Sequence, residues 1–288
     1  MAQRLLRHRS VIFGGIIMIV MLLISMAAPY LGTIDPAYID PTNRNKKPGY
    51  EAMVQDQYDK EIQRTYWMGT DALGRDIYSR VIYGTRISLV VGLAVAALSV
   101  AVGLAIGLLA GYVRWLDSVI MRVMDGLMAI PGILLAIGLV SLSGATITTV
   151  IVAIMVPEIP RVVRLVRSIV LSIREEPYVE AAVAIGTPLL KLLARHILPN
   201  TMAPLIVQGS YVCASAILVE AILSFLGAGI SPETPTWGNI MAEGRVFFRI
   251  LPHNIFFPGV FLAVTVLAVN VLGDGLRDTL DPRLAKRI

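Results

Sequence analysis

The sequence predicts an all-α membrane protein with six transmembrane helices, and two observations lead to that class. Hydrophobic residues make up 56% of the 288-residue chain and charged residues only 16%, whereas about 25% charged residues is usual in soluble domains. The apolar residues also collect in runs of about 20, the length that a helix needs to cross a bilayer. The single cysteine, Cys213, excludes an intrachain disulfide and a CxxC metal or redox site.

The six apolar runs follow one another along the chain. The first, residues 11–31, is longer than the about 7–15 apolar residues of a signal peptide, which favours an uncleaved helix over a cleaved leader. Pro131 predicts a kink in the third run, and Pro157 and Pro160 predict a kink in the fourth. The other five runs lie at about 87–113, 119–142, 147–167, 203–226 and 255–273.

The distribution of Lys and Arg orients these helices. Residues 1–10, the loop between the second and third runs, residues 161–200 and the C-terminal tail together hold 15 of the 25 Lys and Arg. The positive-inside rule therefore places both termini and residues 168–200 in the cytoplasm. Residues 32–86 then form an extracytoplasmic segment, of which residues 32–66 are expected to be irregular or loosely helical. Residues 227–254 form an outer loop. The net charge of +5 indicates topology and not nucleic-acid binding.

Small residues recur at every fourth position of the second predicted helix, at Ser99, Gly103, Gly107 and Gly111. This spacing leaves a flat stripe along one side of a helix, against which another helix can pack closely. We therefore expect these four residues to form a helix-packing face.

The cytoplasmic segment 168–200 reads as two short helices with a break between them. Pro177 suits the first position of a helix, and Gly186 is a common terminator. Thr187 is expected to cap a second helix that begins at Pro188 and ends at Pro199. Such a helix pair can enter a groove on a partner protein, or it can lie on the lipid surface as an amphipathic segment. The pattern alone does not choose between the two.

Four stretches resemble the C-type permease of the dipeptide, oligopeptide and nickel importers, which are binding-protein-dependent ABC importers. Three of them are residues 69–89, residues 223–227 (Leu-Ser-Phe-Leu-Gly) and residues 273–283. The fourth is the "EAA" loop of these permeases, which this chain matches at Glu180, Ala181, Ala182, Gly186, His196, Leu198 and Pro199. Because the four stretches occur in the right order along nearly the whole chain, the resemblance is specific.

The resemblance implies a type I ABC importer permease fold in the bacterial inner membrane, with residues 87–288 as the permease core domain. The EAA loop would dock on one of two separate ATP-binding subunits, which would bind ATP and magnesium, so that this chain needs no cofactor. A second homologous permease, an extracytoplasmic substrate-binding protein and membrane lipid are the other implied partners. The implied cargo is a di- or oligopeptide, with nickel or glutathione as the alternatives.

The chain departs from the family pattern at two places. The general EAA pattern has Ile at the position of His196, although the peptide branch favours His there. Glu158 and Pro160 occupy positions where that branch usually has small residues. Glu158 and Arg161 are three residues apart, so we expect them to pair on one helix face.

Two polar residues inside the apolar runs are candidates for the translocation path. Glu220 lies deep in the fifth run, and an intramembrane carboxylate is a functional candidate by default. A packing hydrogen bond to a neighbouring helix is the alternative role for Glu220. Asn270, in the sixth run, is the second candidate, with local capping as its alternative.

An enzyme is not indicated by the sequence. There is no G-x-x-x-x-G-K-[ST] loop for nucleotide phosphates, and no nucleophile lies beside a base in a recognisable pattern. His8, His196 and His253 are scattered and lack the spacing of metal ligands. A self-sufficient secondary transporter would need inverted repeats with broken helices, and no such repeat is evident.

Overall fold

A computed structural model describes residues 8–55 and 61–280 of the chain. The first part of the predicted cytoplasmic N-terminus, residues 1–7, and the end of the polar tail, residues 281–288, lie outside the described residues. Ten α-helices and one β-hairpin are present in the described part. In chain order they are α1 Arg9–Ala27, β1 Tyr50–Gln55, β2 Glu61–Tyr66, α2 Ile77–Tyr112, α3 Arg114–Ala129, α4 Gly132–Ser143, α5 Ile147–Ile173, α6 Pro177–Ala184, α7 Leu189–Leu192, α8 Leu198–Phe225, α9 Trp237–Gly244 and α10 His253–Leu280.

The helix bundle is organised around α2, which is 36 residues long. Asp76 caps its start by accepting hydrogen bonds from the backbone N–H groups of Tyr78 and Ser79. The helix packs most extensively against α5 and also against α8, while α10 packs against α1 and α8. Buried aliphatic side chains of α2, α5 and α8 form the core between them, among them Val91, Val95, Val162, Val166, Leu205 and Ile217.

Four helical segments of the described residues are long and apolar enough to cross a membrane: Arg9–Tyr30, Ile77–Tyr112, Leu189–Phe225 and His253–Leu280. The pair α3–α4 makes a fifth if its two halves count as one span. The structure therefore supports four or five of the six predicted spans. The fourth predicted span, α5, differs because Glu158, Arg161 and Arg164 interrupt its apolar run.

The third predicted span is broken and not merely kinked. Helices α3 and α4 meet at an angle of 88°. Ile130 adopts an extended conformation, as expected of a residue before proline, and Pro131 becomes the N-cap residue of α4. Pro157 and Pro160, by contrast, lie inside the continuous helix α5. The same residue type therefore ends one helix and is accommodated in another.

The outer segment is more ordered than the sequence suggested. Strands β1 and β2 pair in an antiparallel arrangement, so the chain is not purely α-helical. Short 3-10 turns lie at Ala28–Tyr30 and Pro41–Asn43, and α2 begins at Ile77, within the predicted extracytoplasmic segment 32–86. Residues such as Val54, Thr65 and Tyr66 favour strands, which is the sequence signal for the hairpin.

The predicted outer loop 227–254 contains α9. Thr236 caps this helix by accepting a hydrogen bond from the Asn239 backbone, and the Asn239 side-chain amide binds three loop carbonyls, including that of Ile230 at 3.0 Å. Trp237 is fully buried and donates its indole N–H to the Val81 carbonyl of α2 at 3.2 Å. These contacts hold α9 against the outer ends of α2 and α8.

Candidate functional site: the cytoplasmic loop and the buried polar groups

The break in the EAA-like loop is a Schellman motif centred on Gly186. The Gly186 N–H donates to the Val183 carbonyl at 2.9 Å, and the Thr187 N–H donates to the Ala182 carbonyl at 3.0 Å. Gly186 has φ +79°, a conformation that residues with a Cβ adopt only at a cost. A side chain added at Gly186 would meet nothing within 4 Å. The glycine is thus required by backbone conformation and not by crowding.

The second half of the loop differs from the two-helix expectation. Pro188, not Thr187, is the N-cap residue of α7, and the Thr187 side chain makes no capping bond. Pro199 does not end this helix. The chain passes through a π-helical segment, Leu193–Ile197, into α8, where Pro199 lies in the first turn and so loses no helical hydrogen bond. The loop is therefore continuous with a long helix of the bundle.

One face of the loop is fixed to the bundle and the opposite face is open. Val179, Ala182 and Leu192 are buried against Tyr112 and Ile173. On the other side, large apolar side chains are exposed, with Ile185 at 83%, Leu190 at 82% and Val183 at 51%. We call Val183, Ile185 and Leu190 the apolar tip. An exposed apolar group of this kind indicates an interaction surface.

The remaining loop residues that match the family pattern surround this tip. Glu180 and Ala181 are exposed on the same helix as Val183, whereas Ala182 faces the bundle. His196 lies beside Tyr178, with 6.4 Å between ring centroids, and its carbonyl accepts a hydrogen bond from Asn200 at 2.9 Å. Leu198 is half-buried and Pro199 is exposed, at the start of α8.

The stripe of small residues on α2 lies against α5 of the same chain. A Cβ added to Gly103, Gly107 or Gly111 would come within 2.5–2.6 Å of the Cβ of Val162, Val166 or Val170, respectively. Ser99, in line with the three glycines, is fully buried. Because these valines recur every fourth residue on α5, the two helices approach each other closely over several turns.

The two path candidates, Glu220 and Asn270, make hydrogen bonds within their own helices. Glu220 is fully buried, and its Oε1 accepts a hydrogen bond from Ser224 on the same helix at 2.8 Å. Asn270 donates to the Val266 carbonyl one turn earlier at 3.0 Å. Both side chains are thus used in local hydrogen bonds. The expected pair of Glu158 and Arg161 is present, with Nη1 and Oε1 3.1 Å apart.

A buried ionic cluster on the predicted outer side was not anticipated from the sequence. Arg80 is fully buried, and its Nη2 lies 3.4 Å from Glu243 Oε1 of α9. Arg75 binds Asp71 at 2.7 Å and also contacts Glu243. The four side chains join residues 71–75, α2 and α9. Charged residues beside an apolar run are a signal for such a cluster, but the 163 residues between Arg80 and Glu243 conceal the pairing.

The titratable side chains of the described residues form no group of three or more that could hold a metal ion. The charged groups of the buried ionic cluster are paired with one another. The polar residues of the loop lie around the apolar tip. The exposed apolar tip is suited to contact with another protein.

Comparison with known proteins identifies the class. The model of the family "Binding-protein-dependent transport system inner membrane component" matches residues 103–286. The model "N-terminal TM domain of oligopeptide transport permease C" matches residues 1–48. The chain belongs to the family of binding-protein-dependent transport system inner membrane components, and it is a multi-pass protein of the inner membrane.

Individual relatives extend over almost the whole chain. It is 53% identical over 282 residues to "Probable peptide ABC transporter permease protein y4tQ" of Sinorhizobium fredii, covering 98% of this chain and 91% of the relative. It is 39% identical to "Dipeptide transport system permease protein DppC" of Alkalihalophilus pseudofirmus, with 98% and 88% covered. It is also 39% identical to "Glutathione transport system permease protein GsiD" of Pectobacterium atrosepticum, with 98% and 90% covered.

A solved structure shares the fold. A chain from the inward-facing MetNI methionine ABC transporter matches with a TM-score of 0.58 at 18% identity, covering 71% of this chain and 98% of that chain. At this level of identity the likeness concerns the fold alone. It is the fold of an ABC importer permease, as the sequence motifs implied.

Proposed function

We propose that this chain is one of two permease subunits in an ATP-driven importer of di- or oligopeptides. In this assembly it pairs with a homologous permease, two ATP-binding subunits dock on the cytoplasmic side, and an extracytoplasmic binding protein delivers the cargo. Relatives named for peptide, dipeptide and glutathione transport support this cargo class. Glutathione is itself a tripeptide, so it is the second candidate substrate.

The observation that carries the proposal is the apolar tip on a rigid support. Exposed Val183, Ile185 and Leu190 present an apolar surface, while buried residues on the opposite face anchor the loop to α2 and α5. Because the sequence contains no phosphate-binding loop, energy from ATP has to reach this chain through contact with another protein. A rigid loop with an apolar tip is suited to that contact.

We further propose six spans with both termini in the cytoplasm. Helix α5 serves as the fourth span in spite of its charges, because Glu158 is buried and paired with Arg161, and Arg164 is paired with Asp125. Cysteine labelling at Ser172 and Asn45 tests the orientation. We expect an impermeant reagent to reach Asn45→Cys from outside only and Ser172→Cys from inside only. Labelling of both from one side contradicts this topology.

The function is tested by Gly186→Val, which opposes a positive φ at the loop. A left-handed conformation costs a residue with a Cβ about 1–2 kcal/mol, more for a branched side chain. We expect loss of peptide uptake and of ATPase stimulation by loaded binding protein in reconstituted vesicles. The variant should still insert and pair with the second permease.

Gly227→Val is the matched control for Gly186→Val. Gly227 has φ +81° and ends α8 in the same kind of Schellman motif, and an added Cβ would also meet nothing within 4 Å. The backbone cost is therefore similar in the two variants. We expect Gly227→Val to retain coupling. Normal stimulated hydrolysis and uptake in Gly186→Val would show that the loop is not the coupling element.

A further inference from the structure

A cleft of about 570 Å³ opens between α5, α8 and α10, near the ends of these helices that adjoin the loop. This volume lies within the range of about 300–1,000 Å³ that is usual for small-molecule sites. The apolar part of its wall comes from residues such as Leu165 and Val207. Its polar part consists of Asn200, Gln208, Tyr211 and Arg277.

The polar wall continues along one side of α8. Asn200, Pro204, Gln208, Tyr211 and Ser215 follow one another at intervals of three or four residues, so they share one face of the helix. The face extends from Asn200 to Ser215, a distance of about 22 Å along the helix axis. We call these five residues the α8 polar face. Ile206, two residues before Gln208 and therefore about 200° around the helix, is 48% exposed on the opposite side.

Neighbouring helices add charged groups to the α8 polar face. Ser215 donates to Glu158 Oε1 of α5 at 3.2 Å, and Glu158 is paired with Arg161, whose side chain is 58% exposed. Tyr211 donates its hydroxyl to Asp274 Oδ1 of α10 at 2.6 Å. Two acidic and two basic side chains, counting Arg277, therefore border the same face.

The composition of this face decides what it contacts. Hydrocarbon is a poor neighbour for amide, hydroxyl and guanidinium groups, since burying a polar group without a hydrogen-bond partner is unfavourable. A tightly packed helix of the second permease would call for small or apolar side chains, of the kind found on α2. Water and a polar, zwitterionic solute satisfy both the hydrogen-bonding groups and the open volume.

We propose that the α8 polar face lines the translocation path and that the cleft binds the main chain and terminal charges of the passing peptide. This inference rests on the proposed transport function and assigns residues to it. The side-chain amide of Gln208 can both donate and accept, as a peptide bond does. The Asn200 amide offers its oxygen as an acceptor, because its N–H groups donate to the Tyr178 hydroxyl and the His196 carbonyl. Arg277 supplies a cation for the terminal carboxylate, and Asp274 an anion for the ammonium group. None of these groups contacts a side chain of the cargo peptide.

Cysteine labelling of the assembled complex tests the inference. The sequence has one cysteine, and it is buried, so Cys213→Ser provides a cysteine-free parent. Gln208→Cys and its control Ile206→Cys are introduced into this parent, and the complex in lipid nanodiscs is treated with a charged, membrane-impermeant methanethiosulfonate. We expect Gln208→Cys to react at least tenfold faster than Ile206→Cys. We expect millimolar trialanine to slow that reaction at least threefold.

Three results would overturn the inference. Equal labelling at positions 206 and 208 would mean that the two faces of α8 share one environment. Failure of Gln208→Cys to react would mean that the face is covered by lipid or by a partner helix. Labelling that trialanine and glutathione do not slow would mean a wet surface without a binding site. Uptake of trialanine by the parent complex is measured in parallel, because its absence contradicts the proposed function and not the assignment of the face.

Discussion

The proposed outer side of the molecule and the loop proposed to be cytoplasmic differ in how their side chains are satisfied. On the proposed outer side, Asp71, Arg75, Arg80 and Glu243 are paired with one another, and Arg80 is fully buried. Burial, followed by the negative charges of Asp40 and Asp76, raises the pKa of Tyr66 on this side to about 12. In the loop, Ile185 and Leu190 are more than 80% exposed.

The difference separates contacts that the chain completes by itself from contacts that it leaves to a partner. A buried ionic cluster is costly to break, because each lost partner leaves an uncompensated charge. An exposed apolar side chain contributes little to the fold but gains free energy when another protein covers it. We therefore expect substitutions in the outer cluster to affect stability, and substitutions in the loop to affect coupling.

The largest expected effect is that of Arg80→Met, which leaves Glu243 and Asp71 with one cation in place of two. We expect a loss of about 3–5 kcal/mol in the free energy of unfolding. Thermal unfolding of the purified permease pair in detergent measures the loss. Adding Glu243→Gln to the same chain removes the excess negative charge and should recover part of it. An unchanged Tm in Arg80→Met would mean that the cluster does not hold α9 on the bundle.

The next effect concerns the stripe on α2. Gly107→Leu places a side chain where an added Cβ already lies 2.6 Å from the Cβ of Val166, so we expect a loss of at least about 1–3 kcal/mol from overpacking. Because the contact lies within this chain, the measurement is its own thermal stability and not only its assembly with a partner. Gly138→Leu is the control, since nothing lies within 4 Å of that position. Equal effects in both variants would contradict close packing of α2 on α5.

The apolar tip should show the reverse pattern. We expect Ile185→Ser to change the stability of the permease by no more than about 0.5 kcal/mol. We expect it to weaken binding of the ATP-binding subunits about tenfold, since burial of such a side chain contributes roughly 1.5–3 kcal/mol. Leu142→Ser is the control, because Leu142 is 87% exposed at the far end of α4. Similar affinities of the two variants for the ATP-binding subunits would show that the apolar tip is not part of the docking surface.

The smallest expected effect is that of Glu180→Ala. Glu180 is exposed beside the tip, and an exposed charge contributes about 0.2–1 kcal/mol to an ion pair. We expect a two- to fivefold loss of affinity for the ATP-binding subunits at low salt, which disappears at high salt as screening increases. Isothermal titration at two salt concentrations measures it. A loss of affinity larger than that of Ile185→Ser would show that charge, and not apolar contact, contributes most to binding of the ATP-binding subunits.

Features fixed by a few adjacent residues were predictable from the sequence. Pro177 begins α6, Gly186 ends it with a positive φ, and Pro131 interrupts the third predicted span. Each depends on backbone geometry within one or two turns, so composition and spacing were sufficient.

Features that depend on distant contacts were not predictable in this way. The pairing of Arg80 with Glu243 and the cleft shared by Gln208 and Arg277 appear only when separate helices meet. Pro199 was misinterpreted for a related reason. Proline both ends helices and begins them, and only the π-helical connection before it shows that α8 is starting.

The unbroken helical path from the loop into α8 has a mechanical consequence. Residues Leu189–Phe225 form one helical segment of 37 residues, which corresponds to a rod of about 50 Å. A stiff rod held near its middle turns small displacements at one end into comparable displacements, in the opposite direction, at the other. A push of a few ångströms on the tip would thus tilt Glu220 and Ser224, near the outer end of the rod, against α9. Movement of the tip, on the side proposed to be cytoplasmic, would in this way be transmitted by the helical rod to the opposite side of the membrane.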